Sequence, residues 1–491
     1  MIRAAPAVAK PAELFDREHE WRALAQFATQ SRPGAALGLV YGRRRQGKTF
    51  LLSQLTQATG GFMFTAAQQS ADQNLAALSA AYHRFTGHTP AQFADWPAAV
   101  DALLSLGGRA PVTVVLDEFS YLLDSVDGIA SHLQIALEPH NRGGSSQARL
   151  ILCGSAMTTM RNVLGGTAPL RGRASLELLV HPLGFRDAAA FWSATDPELA
   201  FRLHALVGGT PAYLAMSETA PRETGEFDEW VVDRLLNPAS VMFHEGDVLL
   251  RQQTEIADPA LYFAVLAAIS RGAHRRSEIA NILGRPDTAL GHPLAVLESV
   301  RLIDRTEDAL RQQRPSYLVA EPLIRFHQLV IVGNDPAFAL RQGERVWHSK
   351  ADTVSAKIYG PHLEQLAREW TQAHAAEATL GGWPNQVRSA VVPCREHGQG
   401  HEIDVVALRE EPFEPRRVLA IGEVKATGKQ VGEAELHRLR HIRELLPGNV
   451  TPDPARLLLF SRAGFTPALR SAATSSGDVE LIDLARLYHG E

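Results

Sequence analysis

The octapeptide Gly42-Arg43-Arg44-Arg45-Gln46-Gly47-Lys48-Thr49 constrains the fold of this chain more than any other stretch. It fits the pattern G-x-x-x-x-G-K-[ST], follows the apolar run Leu39-Val40-Tyr41 and precedes the helix-favouring Phe50-Leu51-Leu52. Gly42 and Gly47 let the backbone bend close to an anion, so that amide N–H groups and the positive end of the next helix cradle phosphates. Lys48 is expected to reach the β and γ phosphates of a nucleoside triphosphate, and Thr49 to ligate Mg²⁺. The expected nucleotide contact therefore runs from Gly42 to Phe50. A chance glycine-lysine turn is the alternative, and the strand-before, helix-after setting speaks against it.

Beyond this loop, short apolar runs alternate with helical patterns, as a three-layer α/β domain requires. Strands are predicted over Gly38–Tyr41, Gly61–Thr65, Val112–Leu116 and Arg149–Cys153. The third delivers Asp117 and Glu118 to the carboxyl edge of the sheet, where nucleotides bind in such folds. Its distance of about seventy residues from the loop suits a Walker-B strand. Asp117 is expected to hold magnesium through water, and Glu118 to polarise the attacking water. The fourth strand ends in Gly154-Ser155, which makes Ser155 either a γ-phosphate sensor or an N-cap for a helix over Ala156–Asn162.

A length of 491 residues implies about three domains, and an apolar fraction of 45% supplies packed cores for them. The net charge of −5 gives no global nucleic-acid signal, so any DNA contact must come from a local patch. Two cysteines, Cys153 and Cys394, support neither a disulfide framework nor a zinc site. No apolar run approaches a membrane span, and the Pro-broken Ala-Pro-Ala-Val-Ala stretch near the N-terminus is too short for a signal peptide. A cytoplasmic protein without membrane contact is expected.

Phe15-Asp16-Arg17-Glu18 with Glu20, the phosphate loop, Leu116–Leu122, Ile151–Ser155 and Gly208-Gly209-Thr210-Pro211-Ala212-Tyr213-Leu214 together resemble the archaeal-type ATPase family of AAA- and STAND-like P-loop NTPases. The resemblance runs through nearly the whole chain. It implies that Phe15–Glu18 enters the ATPase domain near the nucleotide base and that Pro211 contacts nucleotide from a helical lid. It also implies that Arg171 or Arg173 stands near the phosphates as a finger, although Leu170 occupies a position where an aromatic is expected. A solvated basic turn and a helix-starting proline are the plainer readings of these two segments.

From Pro259 the periodicity is helical, with short helices predicted over Leu261–Ser270, Ser277–Leu283 and Thr288–Ser299 before Arg301–Arg305. This is a winged-helix pattern. Its basic entry, Arg271 to Arg276, suits phosphate contacts, whereas the presumed recognition helix lacks basic residues before Arg301, as a packing module does.

In the C-terminal region, Glu402–Leu408 and Val418–Lys425 form a predicted hairpin around a polar turn, Glu410–Arg417, that presents Asp404, Glu423 and Lys425 together. This is the D…E-x-K arrangement of restriction-endonuclease-like, PD-(D/E)xK folds. Asp404 and Glu423 are expected to hold Mg²⁺ while Lys425 orients or deprotonates a water, with Glu364 on the helix Pro361–Ala376 as an optional third carboxylate. Two further strands, Arg456–Phe460 and Val479–Leu484, complete the predicted sheet.

The expected architecture is multidomain α/β: a three-layer P-loop core over 12–180, a helical lid over 181–255, a winged helix over 256–335, a connector over 336–355 and a nuclease-like domain over 356–491. ATP, ADP and Mg²⁺ are the expected ligands. DNA, a second copy of the chain or a protein partner remain open, as does whether the last domain cleaves DNA or only binds.

Overall fold

Five apolar segments pair into one all-parallel sheet: β1 (Ala36–Tyr41), β2 (Phe62–Thr65), β3 (Val112–Asp117), β4 (Ala148–Gly154) and β5 (Ala174–Leu179), in the order β2-β3-β4-β1-β5. The computed structural model describes residues 8–491 except 90, 109, 140, 253–257, 312–314, 395, 397, 414–415 and 448–453. The expected lid boundary at 255, part of the Glu410–Arg417 turn and residues 5–7 of the N-terminal apolar stretch lie outside the described residues.

Successive strand side chains leave opposite faces of a sheet, and both faces here are covered. Leu150 and Leu152 enter one apolar cluster with Leu103 and Leu104 of the helix Trp96–Ser105. Ile151 and Cys153 enter another with Leu51, Leu52 and Leu55 of the helix Lys48–Thr59. Near-continuous burial of β1, β3 and β4 follows from this double cover. β5 escaped sequence reading because only Leu178 of its six residues is fully buried.

The chain divides into two compact units, 1–182 with Thr210–Ala212, and 183–209 with 213–491. In the first, residues 143–146, just before β4, are tightly packed despite two glycines and two serines. A Cβ on Gly144 would stand 1.7 Å from Pro139 O, and the buried Ser146 hydroxyl donates to Leu104 O.

The second unit begins with helices and carries the segments Pro259–Ser270, Arg276–Leu283 and Gly291–Ser299, followed by the antiparallel pair β6 (Ile303–Thr306) and β7 (Ser316–Val319). The stretch 336–355, read as a connector, is helical and buries Val346 and Trp347. It leads through Val354–Tyr359 into the helix Gly360–Ala373. A mixed sheet follows: β8 (Gln386–Cys394), β9 (Gln399–Arg409), β10 (Arg417–Lys425), β11 (Arg456–Ser461) and β12 (Val479–Asp483), ordered β12-β11-β10-β9-β8. β8, β9 and β10 are antiparallel neighbours, whereas β10, β11 and β12 are parallel, with the helices Glu433–Glu444 and Pro467–Ser476 as crossovers. One apolar cluster gathers side chains from Phe185 to Tyr488, including Val405 and Ala407 of β9, and a second on the other face of the mixed sheet includes Val406 and Leu408.

Candidate functional site

At the end of β1 the chain turns through Gly42, where an added Cβ would meet Val180 O at 2.4 Å. Gly47 lies in open space at φ +83°, so its backbone conformation rather than crowding calls for glycine. Arg45 adopts φ +70°, an unusual position for a residue with a side chain, of the kind that clusters at ligand-holding loops. The helix Lys48–Thr59 then starts without a side-chain cap, which leaves its first amides facing the loop.

The buried Lys48 folds over this loop and donates to Gly42 O at 2.7 Å and Arg43 O at 2.8 Å. Burial lowers its pKa, while Cys153, Glu118 and Asp117 oppose that shift. Thr49 Oγ1 donates to Asp117 Oδ2 at 2.8 Å. This bond sets the Thr49 hydroxyl beside the Asp117 carboxylate, so an ion ligated by Thr49 would have Asp117 within reach of one of its waters. Glu118 follows in the left-handed region at φ +49°.

β4 lies between β1 and β3, and Ser155 at its end donates to Glu118 Oε2 at 3.0 Å. It does not cap the next helix, Met157–Asn162, whose N-cap is Ala156 with no side-chain bond. The strand order sets this outcome by bringing the Glu118 carboxylate within reach of the hydroxyl. Arg173 is ion-paired with Glu138, and the exposed Arg171 donates to Gly166 O at 2.7 Å. Pro211 belongs to the first unit, where Ala212 N donates to Arg45 O at 3.4 Å. Of the other loop residues, Arg43 and Gln46 are buried, whereas Phe50, in the first turn of the helix, is exposed.

Two residues already singled out, Arg17 in the opening motif and Arg44 in the loop, make contacts that the sequence did not predict. Arg17, buried and at φ +67°, donates to Gln46 O at 3.3 Å and pairs with Glu20 at 3.0 Å, so the opening segment clamps the loop. Arg44 donates to the Tyr121 hydroxyl at 2.8 Å, tying the loop to the segment after Glu118.

The second cluster lies in the mixed sheet. Asp404 Oδ2 accepts Val424 N at 2.8 Å across β9 and β10, while the Asp404 carbonyl accepts Arg368 Nη1 at 2.9 Å. Burial, then the charges of Glu364 and Glu423, push the Asp404 carboxyl up to about 7. Burial also raises Glu364, which pairs with Arg368 at 3.9 Å. Glu423 is buried between two cations, Lys425 at 2.7 Å and Arg438. Burial and the nearby Glu364 and Glu423 disfavour the ionised Asp404 carboxylate, a cost that a divalent cation would relieve. Arg368 and Arg438 had no signal in the sequence, since both look like ordinary helix charges. Asp404 and Glu364 line a polar cavity of about 580 Å³ together with His274, Arg275 and Glu278.

No protein-family model matches the chain. It is similar to the uncharacterized protein MJECL04 of Methanocaldococcus jannaschii, 24% identical over 404 residues that cover 80% of this chain and 84% of that one. Among solved structures, the Walker-type ATPase PABY2304 of Pyrococcus abyssi superposes with a TM-score of 0.51 at 20% identity, covering 66% of this chain and 98% of the other. The ORC2 protein of Aeropyrum pernix, solved as ADPNP–ADP complexes, gives 0.43 at 17% identity over 70% of this chain and 96% of its own. The parallel-sheet α/β core is thus a P-loop NTPase fold. Among the described residues, no helix is long and apolar enough to cross a membrane.

Proposed function

We propose that this chain binds and hydrolyses ATP with Mg²⁺, and that its nucleotide state governs a C-terminal module of restriction-endonuclease type acting on DNA. The observation that carries the first part is the 2.8 Å pairing of Thr49 with Asp117 beside the loop that Lys48 closes. Mg²⁺ held by Thr49 and, through water, by Asp117 would neutralise phosphate charge. Lys48, now satisfied by two loop carbonyls, exchanges them for phosphate oxygens. Glu118 orients the attacking water, and Ser155, bonded to Glu118, senses the γ-phosphate. Arg43, Arg44, Arg45, Gln46 and Phe50 flank the phosphates, with Pro211 against the loop and Arg173 released from Glu138 as a finger.

For the second part, the α-β-β-β-α-β order and the D…E-x-K residues on β9 and β10 support a nuclease-like reading. Asp404 and Glu423 would hold the metal and Lys425 position a water, while the helices and β6–β7 hairpin act as a winged helix whose His274 and Arg275 share the cavity with Asp404. A second reading has its own support: Arg438 and Lys425 both occupy Glu423, as in a domain that binds a partner without cutting.

The test measures nucleotide binding, ATP hydrolysis and plasmid cleavage with Mg²⁺ or Mn²⁺. Lys48→Ala should abolish hydrolysis, and Glu118→Gln should retain binding while losing turnover. Cleavage that disappears in Asp404→Ala supports the nuclease. Turnover untouched by Lys48→Ala refutes the ATPase, and hydrolysis without any cleavage transfers the C-terminal domain to the scaffold reading.

A further inference from the structure

The composition argued against zinc because only two cysteines exist and they lie far apart in sequence, but a metal ligand set does not need two thiols. Cys394 at the end of β8, His401 near the start of β9 and His441 on the helix Glu433–Glu444 bring one sulfur and two imidazole nitrogens within 4.8 Å of one another. None of the three belongs to the site containing Asp404 and Glu423 described above.

Strand parity explains the convergence. Cys394 pairs with Gln399, and Val392 with His401, across the β8–β9 ladder. Residues two apart share a face, so Cys394 and His401 leave the sheet on the side of Val392. That side packs against Leu436, Leu439 and Ile442 of the helix Glu433–Glu444. His441, beside Ile442, completes the triangle from above. Cys394 Sγ lies 3.6 Å from His441 Nε2, and the two imidazole rings stand 5.5 Å apart, nearly perpendicular.

We propose that Cys394, His401 and His441 form a zinc site. For tetrahedral zinc with Zn–S of about 2.3 Å and Zn–N of about 2.05 Å, the sulfur-to-nitrogen edge is about 3.6 Å, which is the Cys394–His441 separation. One thiolate and two imidazoles are borderline-soft donors that suit zinc over magnesium or calcium. Cys394 is buried while both histidines are partly exposed, which leaves an approach for the ion and a fourth position for water. Binding costs the Cys394 thiol its proton, which passes to solvent as the Zn–S bond forms.

The consequence reaches the carboxylates. The helix Glu433–Glu444 also carries Arg438, one turn before His441, which ion-pairs Glu423 and donates Nη2 to Glu402 O at 3.3 Å. Zinc would clip the β8–β9 end of the hairpin to this helix and so hold Arg438 over Glu423.

The full-length protein, dialysed against micromolar zinc and then metal-free buffer, should retain about one zinc per chain by elemental analysis. Cobalt in its place should show tetrahedral visible bands and a thiolate-to-cobalt charge-transfer band in the near ultraviolet. Cys394→Ser should abolish the charge-transfer band, and His441→Ala should lower zinc affinity at least tenfold, with circular dichroism confirming that each variant folds. If Cys394→Ser misfolds, His401→Gln, which changes a half-exposed side chain near the start of β9, provides the same affinity test. Asp404→Asn should leave zinc retention unchanged, which separates this site from the carboxylate site. Failure of the wild-type protein to retain zinc, retention undiminished in the folded variants, or cobalt binding without the thiolate band would overturn the assignment.

Discussion

Replacing Asp404 with Asn should make the metal-free protein more stable above neutral pH. The Asp404 carboxyl is raised from 3.8 to about 7 by burial and by the neighbouring Glu364 and Glu423. A rise of roughly three units corresponds to about 4 kcal/mol, and water reaching the half-buried carboxyl reduces this to about 2 kcal/mol. The sign follows from the direction of the shift. A carboxyl that titrates higher in the folded state favours folding while protonated, so its contribution is whole below about pH 4 and is lost as pH climbs through 7. Asparagine has no proton to lose, and its side-chain oxygen can still accept the 2.8 Å bond from Val424 N. Thermal unfolding of both proteins from pH 5 to 8, without divalent ions, should show curves that diverge with pH. At about 2 °C per kcal/mol for a unit of this size, the variant should melt about 4 °C higher at pH 8. Mn²⁺ should then raise the melting temperature of the wild type only, because cation binding needs the ionised carboxylate. A variant less stable than wild type at pH 8, or a difference that ignores pH, would refute the account of an Asp404 carboxyl held protonated by burial and by Glu364 and Glu423.

Three further outcomes are expected. Gly42→Ala, whose Cβ meets Val180 O at 2.4 Å, should cost more stability by urea unfolding than Gly47→Ala, where only the positive φ opposes the side chain, at about 1–2 kcal/mol. Arg149→Met should destabilise the first unit by about 3 kcal/mol in calorimetry, because this buried guanidinium donates to Gln30 O, Arg32 O and Gly34 O and its loss orphans all three carbonyls. Ser155→Ala should slow ATP turnover about tenfold while leaving ATP affinity unchanged, since it removes the hydroxyl on Glu118; equal losses in both would make Ser155 a binding residue instead.

Much of the first unit was legible because its strands are apolar throughout and its loop has its own backbone signature. Four predicted strands correspond to β1 to β4 with ends shifted by at most two residues. β5 was missed because it alternates half-exposed residues, and β8 because Pro393 and polar residues interrupt its pattern. The helix Glu433–Glu444 is dense in charge and offers only Leu436, Leu439 and Ile442 to the core, so its periodicity is faint. Missing that helix hid both Arg438 and His441. The stretch 336–355 looked like a connector because glycine and proline punctuate it, yet its apolar residues are consumed by a core built from distant segments.

Local chemistry alone determined the phosphate loop: two glycines, a lysine and a threonine between a strand and a helix specify a phosphate cradle wherever the fold carries it. The same holds for the β9–β10 hairpin, whose alternation places Glu423 and Lys425 on one face. Tertiary structure decided which groups meet across long sequence separations. Strand order put Ser155 against Glu118 rather than at a helix cap, and the opening segment's Arg17 onto the loop. Helix packing delivered Arg438 to Glu423, and His441 to Cys394 and His401. Such pairings depend on sheet order and crossover geometry, which arise from burying many apolar side chains at once, so no residue's immediate neighbours in the chain encode them.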